Sequence, residues 1–258
     1  MIMSLKSHIS KYWPWIIGAI MPLLAFLICY PHYLRNNTFF WISVATLPLS
    51  MSISGHKGGR EIYYLAIATA LISLALPTII GVYVVLCMLL VILIQSLAGR
   101  LQYTLIIHCL LISPLFTYFT SLISFPVRLH LSQAVSNLLN VMGADIRLEG
   151  NLVHYGDTSF LVDEACAGMY MLGYGLLFGT IIISHFTKDK RLKISQLMGY
   201  YSLLFSLIVI GNITRITWLI LFHIMPDHWL HEGLGMMIYL FQILVPFYIT
   251  IQYFTKKQ

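Results

Sequence analysis

Long apolar runs, each closed by a short cluster of charged or turn-forming residues, fill most of the chain. A helix that crosses a bilayer needs roughly 20 mostly apolar residues, about 17–25 in practice. Eight stretches approach that length: Trp13–Tyr30, Thr38–Ser54, Ile62–Leu76, Ile79–Leu97, Thr104–Ile123, Cys166–Ser184, Leu197–Trp218 and Leu234–Tyr253. Pro77 nearly fuses the third to the fourth. The one long connection, Ser124–Ala165, is patterned differently. Leu131, Val135, Leu138 and Met142 recur there at helical spacing, with Arg128, Ser132, Gln133, Ser136 and Asn140 on the other faces. This predicts an amphipathic helix lying in the membrane interface. After Gly143 the period falls to two. Ile146, Leu148 and Leu152 alternate with polar residues around Gly150-Asn151, and Phe160-Leu161-Val162 follow Gly156-Asp157. Short strands, forming a hairpin, are expected to deliver the chain to Cys166. The expected fold class is an all-α polytopic membrane protein of about eight transmembrane helices, with one amphipathic helix and a short β element.

Composition narrows this reading. Hydrophobic residues make up 59% of the chain and charged residues 9%, whereas a soluble domain carries about a quarter charged. A net charge of +6 would suggest nucleic acid in a soluble protein. Here the basic residues fall in short loops, so membrane topology accounts for them and no nucleic-acid partner is expected. Cytoplasmic loops carry excess Lys and Arg. With the N-terminus in the cytoplasm, Lys6, Lys11, Lys57, Arg60, Arg100, Lys188, Lys190, Arg191, Lys193, Lys256 and Lys257 lie inside. Only Arg35, Arg128, Arg147 and Arg215 lie outside, eleven against four. Seven of the nine acidic residues also fall outside. Both termini are therefore expected in the cytoplasm, with loop 124–165 extracytoplasmic. Trp13–Tyr30 lacks a small-x-small exit and is expected to be a retained helix, not a cleaved leader.

Three positions carry candidate chemistry. Cys29, Cys87 and Cys109 sit inside apolar runs and no C-x-x-C occurs, which argues against a thiol–disulfide relay. Cys166 stands at a helix start, where Asp163 can serve as N-cap and the helix dipole favours a thiolate. Ala167 and Gly168 are small enough to admit a substrate backbone. Taken alone, such a cysteine is more often inert packing. Arg215 interrupts an apolar run one turn after Asn212, on the same face. An arginine within a span costs ~2.5–3.5 kcal/mol on insertion scales and is functional by default; the bland alternative is an anchor snorkelling to lipid phosphates. It can stabilise an oxyanion, hold a thiolate or grip a carboxylate. His231 is one of three outer histidines, with His223 and His228, any of which can act as a general base. Gly235, one turn beyond His231, permits close approach. A zinc site from Cys166 and these histidines matches no standard spacing, so no metal or cofactor is expected. No Gly-x-Ser-x-Gly nucleophile elbow is present.

At these residues the chain resembles the exosortase/archaeosortase family of polytopic membrane cysteine proteases and transpeptidases. The resemblance rests on Pro126-Val127-Arg128, Gly143, the stretch around Gly150, Cys166-Ala167-Gly168, Asn212-x-x-Arg215 and His231-Glu232-Gly233-Leu234-Gly235. Many members have Ser where this chain has Ala167. The resemblance covers roughly residues 101–247 of a single membrane domain spanning 1–258; residues 1–100 carry no recognised motif. It assigns the catalytic roles to Cys166, Arg215 and His231, choosing His231 among the three histidines, with Asn212, Gly168 and Asp163 in support. It implies cleavage of C-terminal sorting signals at the outer face of a prokaryotic cell membrane, through a thioester on Cys166. The partners it implies are membrane lipids, secreted proteins whose tails end in a transmembrane helix, and a lipid or glycan acceptor. A polytopic transporter, or a noncatalytic assembly protein, is the alternative; charge confined to helix ends disfavours the transporter.

Overall fold

A computed structural model describes residues 38–50, 53–54, 60–73, 75, 78–98, 100–163, 166, 168–188, 190, 192–225 and 228–256. The expected span Trp13–Tyr30 lies outside the described residues. The elements run α1 (Thr38–Ser50), β1 (Ile53–Ser54), α2 (Arg60–Ser73), α3 (Thr78–Ala98), β2 (Arg100–Leu101), α4 (Tyr103–Ile112) and α5 (Pro114–Val141). They continue through β3 (Ile146–Glu149), β4 (Leu152–Tyr155), β5 (Thr158–Leu161), α6 (Met169–Phe186), α7 (Ile194–Leu221) and α8 (Trp229–Ile238). A π-helical segment, Tyr239–Leu244, joins α8 to α9 (Val245–Lys256). Among the described residues three helical stretches are long and apolar enough to cross a bilayer: Met169–Phe186, Ile194–Leu221 and Trp229–Lys256. A fourth is available if α4 and α5 form one broken span. Thr38–Ser50 and Ile80–Leu89 are shorter apolar helical stretches. The described residues thus carry three or four candidate spans.

The break between α4 and α5 departs from the expected continuous span Thr104–Ile123. Its cause is local. A residue before proline is pushed out of the α region, and Ser113 is extended at φ −67°, ψ 149°. Pro114 then opens α5, where its missing N–H costs nothing. Pro126, expected to open a separate outer helix, lies inside α5. The helix predicted within Ser124–Ala165 is therefore the second half of α5. The predicted stripe is also shifted. Leu131, Val135 and Leu139 are buried together with Ser132 and Ser136, while Leu138 and Met142 are exposed. The buried ridge follows i, i+4, i+8, and Met142 falls beyond the helix end.

The chain divides into two compact units: residues 1–117 with 180–194, and residues 118–179 with 195–258. In the first unit β1 pairs antiparallel with β2, Ile53 opposite Leu101. Its helices share a seam of buried polar groups. The His108 ring Nε2 lies 2.7 Å from the Ser43 carbonyl, and Ser184 Oγ donates to the Ser50 carbonyl at 2.9 Å. Such hydrogen bonds satisfy polar side chains that apolar surroundings would otherwise penalise. Outside that buried seam, the Tyr103 hydroxyl donates to the carboxylate of the exposed Glu61.

The second unit carries an antiparallel meander in the order β3–β4–β5, one strand more than the expected hairpin. Its register sets Leu148 against Val153 and Val153 against Phe160. Ile146, Val153, Phe160 and Val162 face a core shared with Leu131, Val135 and Leu139 of α5 and with Ile216, Leu219 and Ile220 of α7. Cys166 belongs to the same core. Asn140 joins α5 to β3: its Oδ1 accepts from the Ile146 N–H at 2.8 Å and its Nδ2 donates to the Ile146 carbonyl at 3.3 Å. Gly143, at φ +92°, makes the left-handed exit from α5 that a side chain would resist.

Glycine sets how closely α6 and α7 approach. A Cβ built on Gly179 would lie 2.2 Å from Leu204 Cδ2, and Leu204 is fully buried. Gly199 faces open space. Gly179→Ala is expected to lower the thermal midpoint in detergent by several degrees, an overpacking cost of about 1–3 kcal/mol. Gly199→Ala should leave it unchanged or raise it slightly through helix propensity. Fluorescence-detected size exclusion after a temperature ramp reads both.

Candidate active site

Cys166, Asn212, Arg215 and His231 all belong to the second unit. Cys166 sits in the turn between β5 and α6 and is buried. The helix does not start at Cys166, as expected, but at Met169. The reason is Gly168, whose φ of +72° lies off the helical path. The Gly168 carbonyl accepts the first helical hydrogen bond, from Leu172 N–H at 2.8 Å. Asp163 consequently caps the turn and not the helix: its Oδ1 accepts from the Cys166 N–H at 2.8 Å.

Asn212, buried in α7, closes the turn from the other side. Its Nδ2 donates to the Cys166 carbonyl at 3.2 Å. A Cβ on Gly168 would fall 2.6 Å from the Asn212 amide carbon. What approaches Gly168 closely in this structure is therefore the Asn212 side chain; the small residue was expected to admit substrate. The Asn212 Oδ1 is buried and meets no hydrogen-bond partner among the described residues. It is an acceptor lodged beside the Cys166 turn.

His231 lies in the first turns of α8, and its Nε2 stands 3.7 Å from Cys166 Sγ. Both side chains are buried. The other two histidines are held elsewhere. His228 is the N-cap of α8, its Nδ1 accepting from the Leu230 N–H at 3.2 Å. His223 takes a left-handed φ of +51° and stacks on Tyr155 with ring centroids 5.3 Å apart. Among the described residues no three His, Cys, Asp or Glu side chains converge as metal ligands would.

Arg215 is buried in α7, one turn beyond Asn212. A Cβ on Gly235 would lie 2.9 Å from Arg215 Nε, so the guanidinium stem rests against α8 one turn past His231. Gly235 leaves the room for it. Burial pushes the Cys166 thiol up to about 12; the Asp163 carboxylate adds to the rise and the Arg215 cation opposes it. A neutral thiol beside an imidazole nitrogen and a fixed cation can pass its proton to the imidazole as it attacks an electrophile.

A buried Cys–His contact flanked by an arginine, set among apolar helices, is an arrangement suited to acyl transfer through sulfur in a membrane protein. A match to the transmembrane exosortase model across residues 15–248 shows that the chain belongs to that family. Comparisons with curated proteins and with solved structures found no match.

The sequence did not disclose the π-helical turn Tyr239–Leu244. Within it, Gln242 Nε2 donates to Thr214 Oγ1 at 3.1 Å, and a Cβ on Gly211 would meet Ile243 at 2.9 Å. A π turn has no hydropathy signature; a polar Gln242 in an apolar run is the one visible trace of it. These contacts fix α8 and α9 on α7 and so help to place His231.

Thiolate chemistry at Cys166 has a measurable consequence. With the thiol pushed up to about 12, iodoacetamide alkylation should climb about tenfold per pH unit from pH 7 to 10 without a plateau. At fixed pH, Asp163→Asn should speed it and Arg215→Gln slow it, because the carboxylate opposes the thiolate and the guanidinium favours it. A plateau below pH 9, followed by mass spectrometry of the Cys166 peptide, would mean the thiolate is already formed at rest.

Proposed function

We propose that this exosortase-family membrane protein is a cysteine transpeptidase or protease that cleaves the C-terminal sorting signals of secreted proteins. The observation that carries the reading is the 3.7 Å contact between Cys166 Sγ and His231 Nε2. His231 Nε2 takes the thiol proton while Sγ attacks the scissile carbonyl. Arg215 balances the charge that develops on the carbonyl oxygen. Collapse of the tetrahedral species breaks the C–N bond, and His231 returns the proton to the leaving amine. The acyl group stays on Cys166 as a thioester. An acceptor amine on a lipid or glycan then attacks, His231 takes its proton, and the thiol is released with a new amide. Water in the acceptor's place gives hydrolysis.

Asp163 and Asn212 act through position: one holds the Cys166 N–H, the other its carbonyl. The topology proposed with this chemistry has eight spans, both termini in the cytoplasm and the site at the outer face of a prokaryotic cell membrane. The excess of basic residues in alternate loops supports it.

Cys166→Ala, Arg215→Ala and His231→Ala should each reduce processing of a tagged secreted reporter by a hundredfold or more, while Asn212→Ala should retain measurable activity. The reporter carries a short motif, an apolar helix and a basic tail, and its size shift on a gel reads cleavage. Full processing by Cys166→Ala sinks the enzyme reading. Reaction of Cys166 with an impermeant maleimide added only from the cytoplasmic side overturns the orientation.

A further inference from the structure

The small sheet ends on an edge that runs directly into the nucleophile turn. In the order β3–β4–β5, β5 is an edge strand, and the register shows which of its main-chain groups are used. Val162 N–H donates to the Asn151 carbonyl at 2.9 Å, so Val162 turns its main chain toward β4. Hydrogen-bonded and non-bonded pairs alternate along an antiparallel ladder. Phe160, opposite Val153, and Thr158, opposite Tyr155, therefore face β4 as well. Ser159 and Leu161 turn their main chains outward. The Leu161 carbonyl is taken by the Asp163 N–H at 3.0 Å. Ser159 N–H, Ser159 C=O and Leu161 N–H are left along the edge, and no other strand among the described residues pairs with them.

The two edges of the sheet are not equivalent. Proteins blunt exposed edges with charges, proline or cover. β3 carries Arg147 and Glu149, and its first residue is engaged by Asn140. β5, Thr-Ser-Phe-Leu, carries neither charge nor proline, and both Ser159 and Leu161 are exposed. An uncharged open edge is the form that accepts an added strand. From Leu161 to Cys166 is five residues, at most ~18 Å of extended chain. A peptide lying on this edge thus brings a bond within about five residues of the pairing to Sγ.

We propose that β5 is the docking strand for the extended peptide that Cys166 attacks. Pairing is through main-chain hydrogen bonds to Ser159 and Leu161, so this edge sets the direction and register of the motif and contributes little to the choice of its side chains. The inference rests on the peptide-cleaving function proposed above.

The test uses the purified full chain in detergent micelles and two probes of Cys166. One is a panel of acetylated hexapeptide chloromethyl ketones; the other is iodoacetamide, which needs no strand. Ser159→Pro and Leu161→Pro each delete an outward N–H and leave the β4 ladder intact, since proline is tolerated where an edge N–H faces outward. They should slow the hexapeptide reagents about tenfold, as expected for losing a main-chain hydrogen bond and its neighbour's alignment. Iodoacetamide rates should hold. Arg147→Ala, on the opposite edge strand, should react as wild type. Methylating alternate amides of the peptide should produce the same tenfold loss on wild-type protein, so the test survives a proline variant that fails to fold. Unchanged hexapeptide rates in the proline variants, or indifference to N-methylation, overturn the proposal. So does a detergent-stable dimer that the proline variants abolish with peptide rates intact, which would assign the edge to a second copy of the chain. Failure of the enzyme reading looks different: processing then persists in Cys166→Ala, whatever the peptide reagents do.

Discussion

The buried contact of Cys166 with His231, in the field of the buried Arg215, constrains what surrounds it. Polar side chains this deep in apolar surroundings are costly unless they lie against one another. Close approach of that kind leaves no room for ordinary side chains on the supporting backbone. Glycine therefore stands at two points beside the site: Gly168 under the Asn212 amide and Gly235 under the Arg215 stem. The first also supplies the left-handed turn that separates Cys166 from α6. Cys166 is thus held in a turn of its own, tied through its N–H to Asp163 and through its carbonyl to Asn212. A helical first residue has no such freedom to present its side chain sideways to a neighbouring helix.

The meander serves the same constraint from the other side. Its inner face is continuous with the core that contains Cys166, and its last strand leads into the capped turn. Asn140 and Asn151 extend the ladder at its two ends by pairing side-chain amides with the main chain of Ile146 and Val162. A sheet of four-residue strands has little stability of its own. Here it gains rigidity from α5 and α7, the second of which also carries Asn212 and Arg215. One helix therefore supports both the Cys166 turn and the Arg215 cation.

The residues of the candidate site are more legible in the sequence than their geometry. Cys166, Arg215 and His231 stand in short motifs whose residue types are unusual for their apolar context, and that context is itself readable from composition. The separation of His231 from His223 and His228 came from resemblance; the structure supplies its physical counterpart, since capping occupies one ring and stacking the other. Helix ends were less legible because hydropathy does not register backbone conformation. Ser113-Pro114 breaks a run that is apolar on both sides, and Gly168 moves the start of α6 by three residues. The buried ridge through Leu139 instead of Leu138 depends on which face meets the meander, a tertiary fact. Span number is hard to read from length for a related reason: among the described residues Thr38–Ser50 and Arg60–Ser73 are apolar helices of 13 and 14 residues, below the usual length of a crossing.

A thiol pushed up to about 12 looks ill suited to nucleophilic catalysis, yet the surroundings explain it. Burial is the largest cause, and burial also protects the sulfur, because oxidation and stray alkylation follow thiolate character and exposure. In the proposed reaction the site need not hold a standing thiolate. It requires His231 Nε2 to be an acceptor, which places the imidazole proton on Nδ1, and it requires the negative charge that leaves sulfur to reappear where Arg215 can meet it. For the resting thiol the cation's pull toward the thiolate is outweighed by burial and the Asp163 carboxylate. It gains most when charge moves onto the carbonyl oxygen, and an interaction that strengthens along the reaction is the kind that lowers a barrier. In that proposed reaction Arg215 is the residue that makes a buried, protonated cysteine usable.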